Sequence, residues 1–359
     1  TGNYNVAVGG AALDSETAGN NSVAIGTSAL TNSNLTTDSN SYNVAVGSNA
    51  GQNVTTGIQN TLIGGLAGDS LTDADFNIAI GTSALATDTL GSRSVAVGIS
   101  ALATQNHTTA TDVYNTCVGA LAGTSITDAV RNTIVGGLAG DALTSADFNT
   151  AVGYGALSSE VLGERAVAVG YHALLSQNRT TASQSNNTAV GFQAANNVTT
   201  GDENTFIGSD TGHGMTTAHS NIIIGFSCTA SAFNGNNQIV MGDDIAGDSN
   251  GTFTFGSSAG QVHNHFGTDK YNWKGHHELD STDSELAHLY KENESDNTME
   301  TDITMHGFIA QEVKAALDTA GVNDWAGWEE DRFGVQRISR EMFVIPLVKA
   351  VQELSSQVT

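Results

Sequence analysis

From residue 5 to about residue 245 one short signature recurs: Asn or Ser, then three mainly apolar residues, then Gly. Asn5-Val6-Ala7-Val8-Gly9, Ser22-Val23-Ala24-Ile25-Gly26 and Asn132-Thr133-Ile134-Val135-Gly136 show its range. The glycines stand at 9, 26, 47, 64, 81, 98, 119, 136, 153, 170, 191, 208, 225 and 242, so the unit is 17 residues, lengthened to 21 at every fourth step. Three short units and one long one make a super-period of 72, and Asn60–Asn77 overlays Asn132–Asn149 almost residue for residue. Duplication of a four-unit block accounts for it.

Such a unit is too short for a helix pair, and its Gly, Asn and Thr content disfavours helix. One coil of a β-solenoid is the element it predicts. The residue before the glycine is Val or Ile in thirteen units and Met241 in the last, and the residue three before it is always Val, Ile or Thr. With a period of two these share a face, read here as pointing inward, with the intervening residue, usually Ala, pointing out. Three residues after the glycine stands Ala in most units, replaced by Thr211, Cys228 and Ile245 near the end, which suggests a crowded inner corner. The glycine is expected where the backbone needs positive φ or close approach, and the leading Asn in a stacked hydrogen-bond ladder. Fourteen coils at about 4.8 Å give a rod of roughly 65 Å. Residue 1 falls within a repeat, so the array is expected to continue upstream.

The extra residues of the long units read Asn34-Leu35-Thr36-Thr37, Asn106-His107-Thr108-Thr109 and Asn178-Arg179-Thr180-Thr181. They predict a longer loop on one side every four coils, about 19 Å apart. Either a tolerated insertion or a receptor-contacting ridge fits that pattern. Their match to the Asn-x-Thr glycosylation pattern is expected by chance in so Asn- and Thr-rich a chain.

Composition divides the chain. Residues 1–256 have no Lys, no Trp and four Arg, whereas all five Lys, all three Trp and Pro346 follow. A net charge of -25 over 359 residues excludes a basic nucleic-acid face and disfavours anionic membranes, and no apolar run is long enough to span a bilayer. Cys117 and Cys228 are too few for a disulfide framework. Phe253-Thr254-Phe255-Gly256 predicts a closing strand, after which the chain runs through an acidic stretch at 278–302 to a helical pattern from about Ser339. There Val344, Leu347, Val351, Leu354 and Val358, spaced 3, 4, 3, 4, form a heptad seam expected to need partner chains.

The repeat unit resembles the head repeat of trimeric autotransporter adhesins of the YadA type, through Asn21-Ser22-Val23-Ala24-Ile25-Gly26 and its equivalents over about 1–245. That resemblance implies a left-handed parallel β-roll in a homotrimer. A second resemblance covers most of 270–358: Tyr271-Asn272-Trp273-Lys274, His306-Gly307-Phe308-Ile309-Ala310-Gln311-Glu312-Val313 and Ile345-Pro346-Leu347-Val348-Lys349-Ala350-Val351-Gln352-Glu353-Leu354 are similar to the endosialidase-type intramolecular chaperone domain of phage tailspikes and tail fibres. It implies a small α+β trimerisation domain, in many relatives released by one self-cleavage at a Ser-Asp bond. Here Thr268-Asp269-Lys270 is a poor remnant of that site, and Ser209-Asp210 and Ser295-Asp296 stand in the wrong context, so no cleavage is expected.

No nucleophile elbow, phosphate loop or zinc helix is present. His263, His265, His276 and His277 are better read as surface histidines than metal ligands, and Asp243, Asp244, Asp248 and Asn250 match no calcium loop. Asp73, Asp75 and Asp147 recur with the repeat, which favours solvated loops over an active site. No catalytic residue, metal or cofactor is assigned. The expectation is a structural, adhesive virion protein: a homotrimeric phage tail-fibre segment, shaft 1–256 and chaperone-type domain 257–359. Its partners would be a host-surface glycan or protein receptor and other tail proteins, with no nucleic acid and no membrane insertion. A cellular trimeric adhesin or a glycan-depolymerising tailspike are the alternatives.

Overall fold

The computed structural model describes residues 2–265, 328–330 and 336–338, and every regular element among them is a strand. Fourteen coils, numbered by their glycines from Gly9 to Gly242, each contribute one strand to a single sheet, paired parallel in register. In coils 1–12 that strand is three residues long, as in Val95–Val97 and Thr116–Val118. Thr252–Ser257 adds a fifteenth parallel rung, matching Ile239 to Phe253 and Gly242 to Gly256. Gly260–His265 then folds back antiparallel along it in a hairpin, the last strand of the stack among the described residues. The expected closing strand is therefore one more turn of the solenoid. Trp328–Glu330 and Gln336–Ile338 form a separate antiparallel pair. Val344, Leu347, Val351, Leu354 and Val358 lie outside the described residues, as do the stretches that carry the second resemblance.

The inward and outward faces are the reverse of the sequence expectation. The central strand residue is the fully buried one: Ala24, Ala45, Leu62, Ala79, Ala96, Cys117 and Ile134 all have no exposed surface. The flanking Val, Ile and Thr residues point outward, and none of them is buried. Strict alternation says that two faces exist without saying which is inside. The interior is thin, since the buried Ala column three residues after the glycine faces the same space, and small residues fill it.

Glycine and asparagine set the coil geometry. The glycine φ is +138° at Gly98, and a Cβ there would collide with the carbonyl of Gly119 one coil on. Each leading Asn works in two directions. Its Nδ2 closes its own coil by donating to a carbonyl 14 residues ahead, as Asn132 to Ala146 at 2.9 Å and Asn204 to Ala218 at 2.8 Å. Its Oδ1 accepts the backbone N–H of the next coil's leading residue, as Asn132 from Asn149 at 2.8 Å. From Asn43 onward these asparagines are fully or almost fully buried.

The 72-residue period is a packing period. Leu62, Ile134 and Phe206 replace Ala at the strand centre one super-period apart. Glycine makes room for them: a side chain on Gly68 would strike Leu62, on Gly140 Ile134, and on Gly212 the Phe206 ring. The volume left free there is filled three residues later by Leu71, Leu143 and Met215, all buried. Interiors this tight tolerate little loss of volume. Phe206→Ala is expected to destabilise the neighbouring coils by about 3–5 kcal/mol, because the fixed backbone of Gly212 keeps the cavity open. Urea unfolding followed by circular dichroism checks it, and an unchanged midpoint would contradict this packing.

Candidate functional site

Two surfaces break the monotony of the solenoid: the insertions, and the rows of side chains bordering the sheet. Every insertion is anchored from within by a carboxylate. Glu16, Asp88 and Glu160 stand one super-period apart, and where they occur the residue three before is Leu13, Leu85 or Leu157 in place of glycine. Asp88 and Glu160 are fully buried. Glu160 Oε1 accepts the N–H of Gly163 at 2.7 Å in its own coil and of Arg179 at 2.9 Å in the insertion. Its Oε2 accepts from Gln177 Nε2 at 2.8 Å. Asp88 does the same with Gly91, His107 and Gln105. Glu16 does so with Gly19, Leu35 and Ser33.

A relay joins this anchor to the Asn ladder, which lapses at Ser22, Ser94 and Ala166. Gln105 fills the gap: its Nε2 reaches Ser94 Oγ at 3.0 Å and its Oε1 accepts from Asn115 at 2.9 Å. Gln177 Oε1 accepts from Asn187 at 2.8 Å. The insertion itself adds a short parallel rung, as Ser183–Gln184 on Gly163–Glu164. The expected longer loop is thus a hydrogen-bonded shelf. Above the anchor the side chain varies: Leu35, then His107, whose Nδ1 lies 3.9 Å from Asp88, then Arg179, which meets Asp202 at 3.2 Å.

The carboxylates that recur with the repeat serve the stacking. Asp73 accepts from Thr56 at 2.5 Å, Asp75 from the N–H of Ile58 at 2.7 Å, and Asp147 from the N–H of Val130 at 2.8 Å. Burial pushes the Asp75 carboxyl above the usual range, against the pull of the Ile58 bond. Asn250 Oδ1 is taken by the N–H of Asn236 at 2.8 Å, and Thr254 Oγ1 lies 2.9 Å from His263 Nδ1. Among the described residues no three His, Cys, Asp or Glu side chains come together to hold a metal ion. His276 and His277 lie outside the described residues. Cys117 and Cys228 are free and buried, and burial pushes both thiols up.

Two exposed rows add to what the motifs indicate. Immediately before each leading position the backbone is left-handed with a non-glycine residue, as at Phe76 (φ 61°), Arg93 (66°), Tyr114 (56°), Arg131 (60°), Phe148 (61°) and Arg165 (61°). At the other end of the strands Tyr154, Tyr171 and Phe192 stack with centroids 5.8 and 5.3 Å apart. Writing the chain in unit register reveals both rows, since each is a single column of the repeat.

No family model, curated protein or solved structure matches the chain.

The anchors carry two consequences. For Glu16, burial raises the carboxyl pKa, but the bonds from Gly19, Ser33, Ala18 and Leu35 outweigh it and hold it below the usual glutamate range. A pKa lower in the folded than in the unfolded chain adds stability above the unfolded value, and that stability disappears as pH falls through the folded value. The first coils are expected to hold constant stability from neutrality to about pH 5 and to lose it below, with a smaller loss in Glu16→Gln; acid titration of the thermal midpoint checks this. Glu160→Ala leaves several buried donors unpaired at about 1–3 kcal/mol each, so amide exchange is expected to accelerate at Gly163 and Arg179 and not at Thr205.

Proposed function

We propose that this chain is a homotrimeric fibre segment of a phage tail that attaches to the host surface, its solenoid a left-handed shaft and its C-terminal region a chaperone-type trimerisation domain. One observation carries the reading: the outer face of the sheet. Two columns of Val, Ile and Thr run its whole length, with Val6, Ile25, Ile63, Ile78, Ile207 and Ile222 among the exposed ones. An apolar strip of that length on a single chain is the signature of an association surface. Three copies related by a threefold axis along the rod would cover it.

The C-terminal resemblance supplies the assembly step. Parallel pairing between distant residues nucleates slowly, and unassembled apolar faces invite aggregation. A trimer seed built on Val344, Leu347, Val351, Leu354 and Val358 would bring three shafts into register. No self-cleavage and no enzymatic turnover belong to this reading, because the Ser-Asp context is lost and the recurrent carboxylates bond to neighbouring coils.

Intact mass by denaturing mass spectrometry and native mass by light scattering test it together. A full-length chain of 36.9 kDa in a particle of three times that mass is expected. Val135→Asp with Val169→Asp, both on the outer face, is expected to weaken that particle. A stable monomer from the unaltered chain would overturn the reading.

A further inference from the structure

The residue before the leading position forms a one-residue-wide row up the shaft, and in coils 5–10 it alternates aromatic and arginine: Phe76, Arg93, Tyr114, Arg131, Phe148, Arg165. Three of the four arginines of residues 1–256 stand in this row. The left-handed backbone turns each of them outward, and Phe76, Tyr114 and Phe148 are between 38% and 50% exposed. Arg93 is occupied: it pairs with Asp112 at 2.9 Å and lies 4.7 Å from the Phe76 centroid. Arg131 lies 5.6 Å from the Phe148 centroid. Among the described residues neither Arg131 nor Arg165 has a carboxylate at ion-pair distance.

We infer that Arg131, Phe148 and Arg165 form a binding row for an acidic polysaccharide that carries a carboxylate on every second sugar. Guanidinium matches carboxylate geometry bidentately, and an aromatic ring packs against the C–H face of a pyranose. The two arginines are two coils apart, roughly 10 Å along the stack, with the ring between them. An extended glycan advances by about one coil height per sugar, so successive carboxylates meet successive arginines and the neutral sugar meets Phe148. A linear, periodic ligand fits a linear, periodic row. A net charge of -25 repels any polyanion at long range, so the attraction is local to the row, within a Debye length of about 8 Å at physiological salt.

This rests on the surface-attachment reading and names its ligand class. The probe is a labelled hyaluronan oligosaccharide, which alternates uronate and neutral sugar, titrated with the full chain and followed by fluorescence anisotropy. Saturable binding is expected, weakening as salt is raised and absent for neutral dextran. Arg131→Gln with Arg165→Gln is expected to weaken it at least tenfold, and Phe148→Asn several-fold. Gln59 and Asn186 hold the same left-handed position in other coils, so these variants keep the backbone, and an unchanged thermal midpoint verifies it. No binding, equal binding by the double variant, or tighter binding of poly-glutamate would overturn the inference. So would loss of the native assembly in the double variant, which would place the row at a chain contact. Light scattering on the unaltered chain separates the cases: a trimer indifferent to the glycan removes the ligand and leaves the fibre.

Discussion

The solenoid depends on one buried side chain used twice. Each leading Asn closes its own coil through Nδ2 and fixes the next coil's height through Oδ1, as Asn60 does with the carbonyl of Ala74 at 2.7 Å and the N–H of Asn77 at 2.9 Å. A coil of 17 residues has too little interior to hold its turns by apolar burial alone. The amide supplies in one residue the donor and acceptor that the turn backbone would otherwise lack. With that contact in place the glycine column can approach closely and the strands can be only three residues long.

Where the amide is missing, the structure compensates with a second device, and this sets the 72-residue period. At Ser94 a buried relay of Asp88, Gln105 and Asn115 takes over, and the same carboxylate ties down the insertion. Coils with a buried polar residue keep Leu at the preceding inner corner, as Leu85 and Leu157, while coils with Gly there fill the space with Leu71 or Leu143. Polar and apolar coils alternate in pairs because each kind completes the packing of its neighbour. A single coil copied fourteen times could not do both.

The surface follows from the same constraint. Inner positions are taken by Ala, Asn and a limited set of Leu, Ile and Phe206, while the strand-flanking Val, Ile and Thr and most of the described aromatic residues stand outside, in columns one coil apart. An apolar strip, an aromatic stack and a row of arginine and aromatic residues result. Each recurs at one coil height along the solenoid, and on these columns the proposed assembly and attachment rest.

Much of this is legible in the residues. Unit length, the fourteen recurrent coils, the glycine column, the Asn ladder and the small inner corner follow from recurrence, because a repeat must place equivalent residues in equivalent environments; the fifteenth turn, which lacks the signature, does not. The direction of the strand faces does not, and Ala and Val exchange places relative to expectation. Alternation has no sign when both faces are apolar, and only the closed coil decides which one meets Ala29 or Ala50 across the interior. The carboxylate relays are equally hidden, since they join residues of different coils that meet only when coils stack; unit register displays the Arg131–Phe148–Arg165 column but not which of its arginines are paired. What a residue faces within its coil is written in the local pattern; what it meets in the coils above and below is decided by the tertiary structure, because stacking alone sets those neighbours.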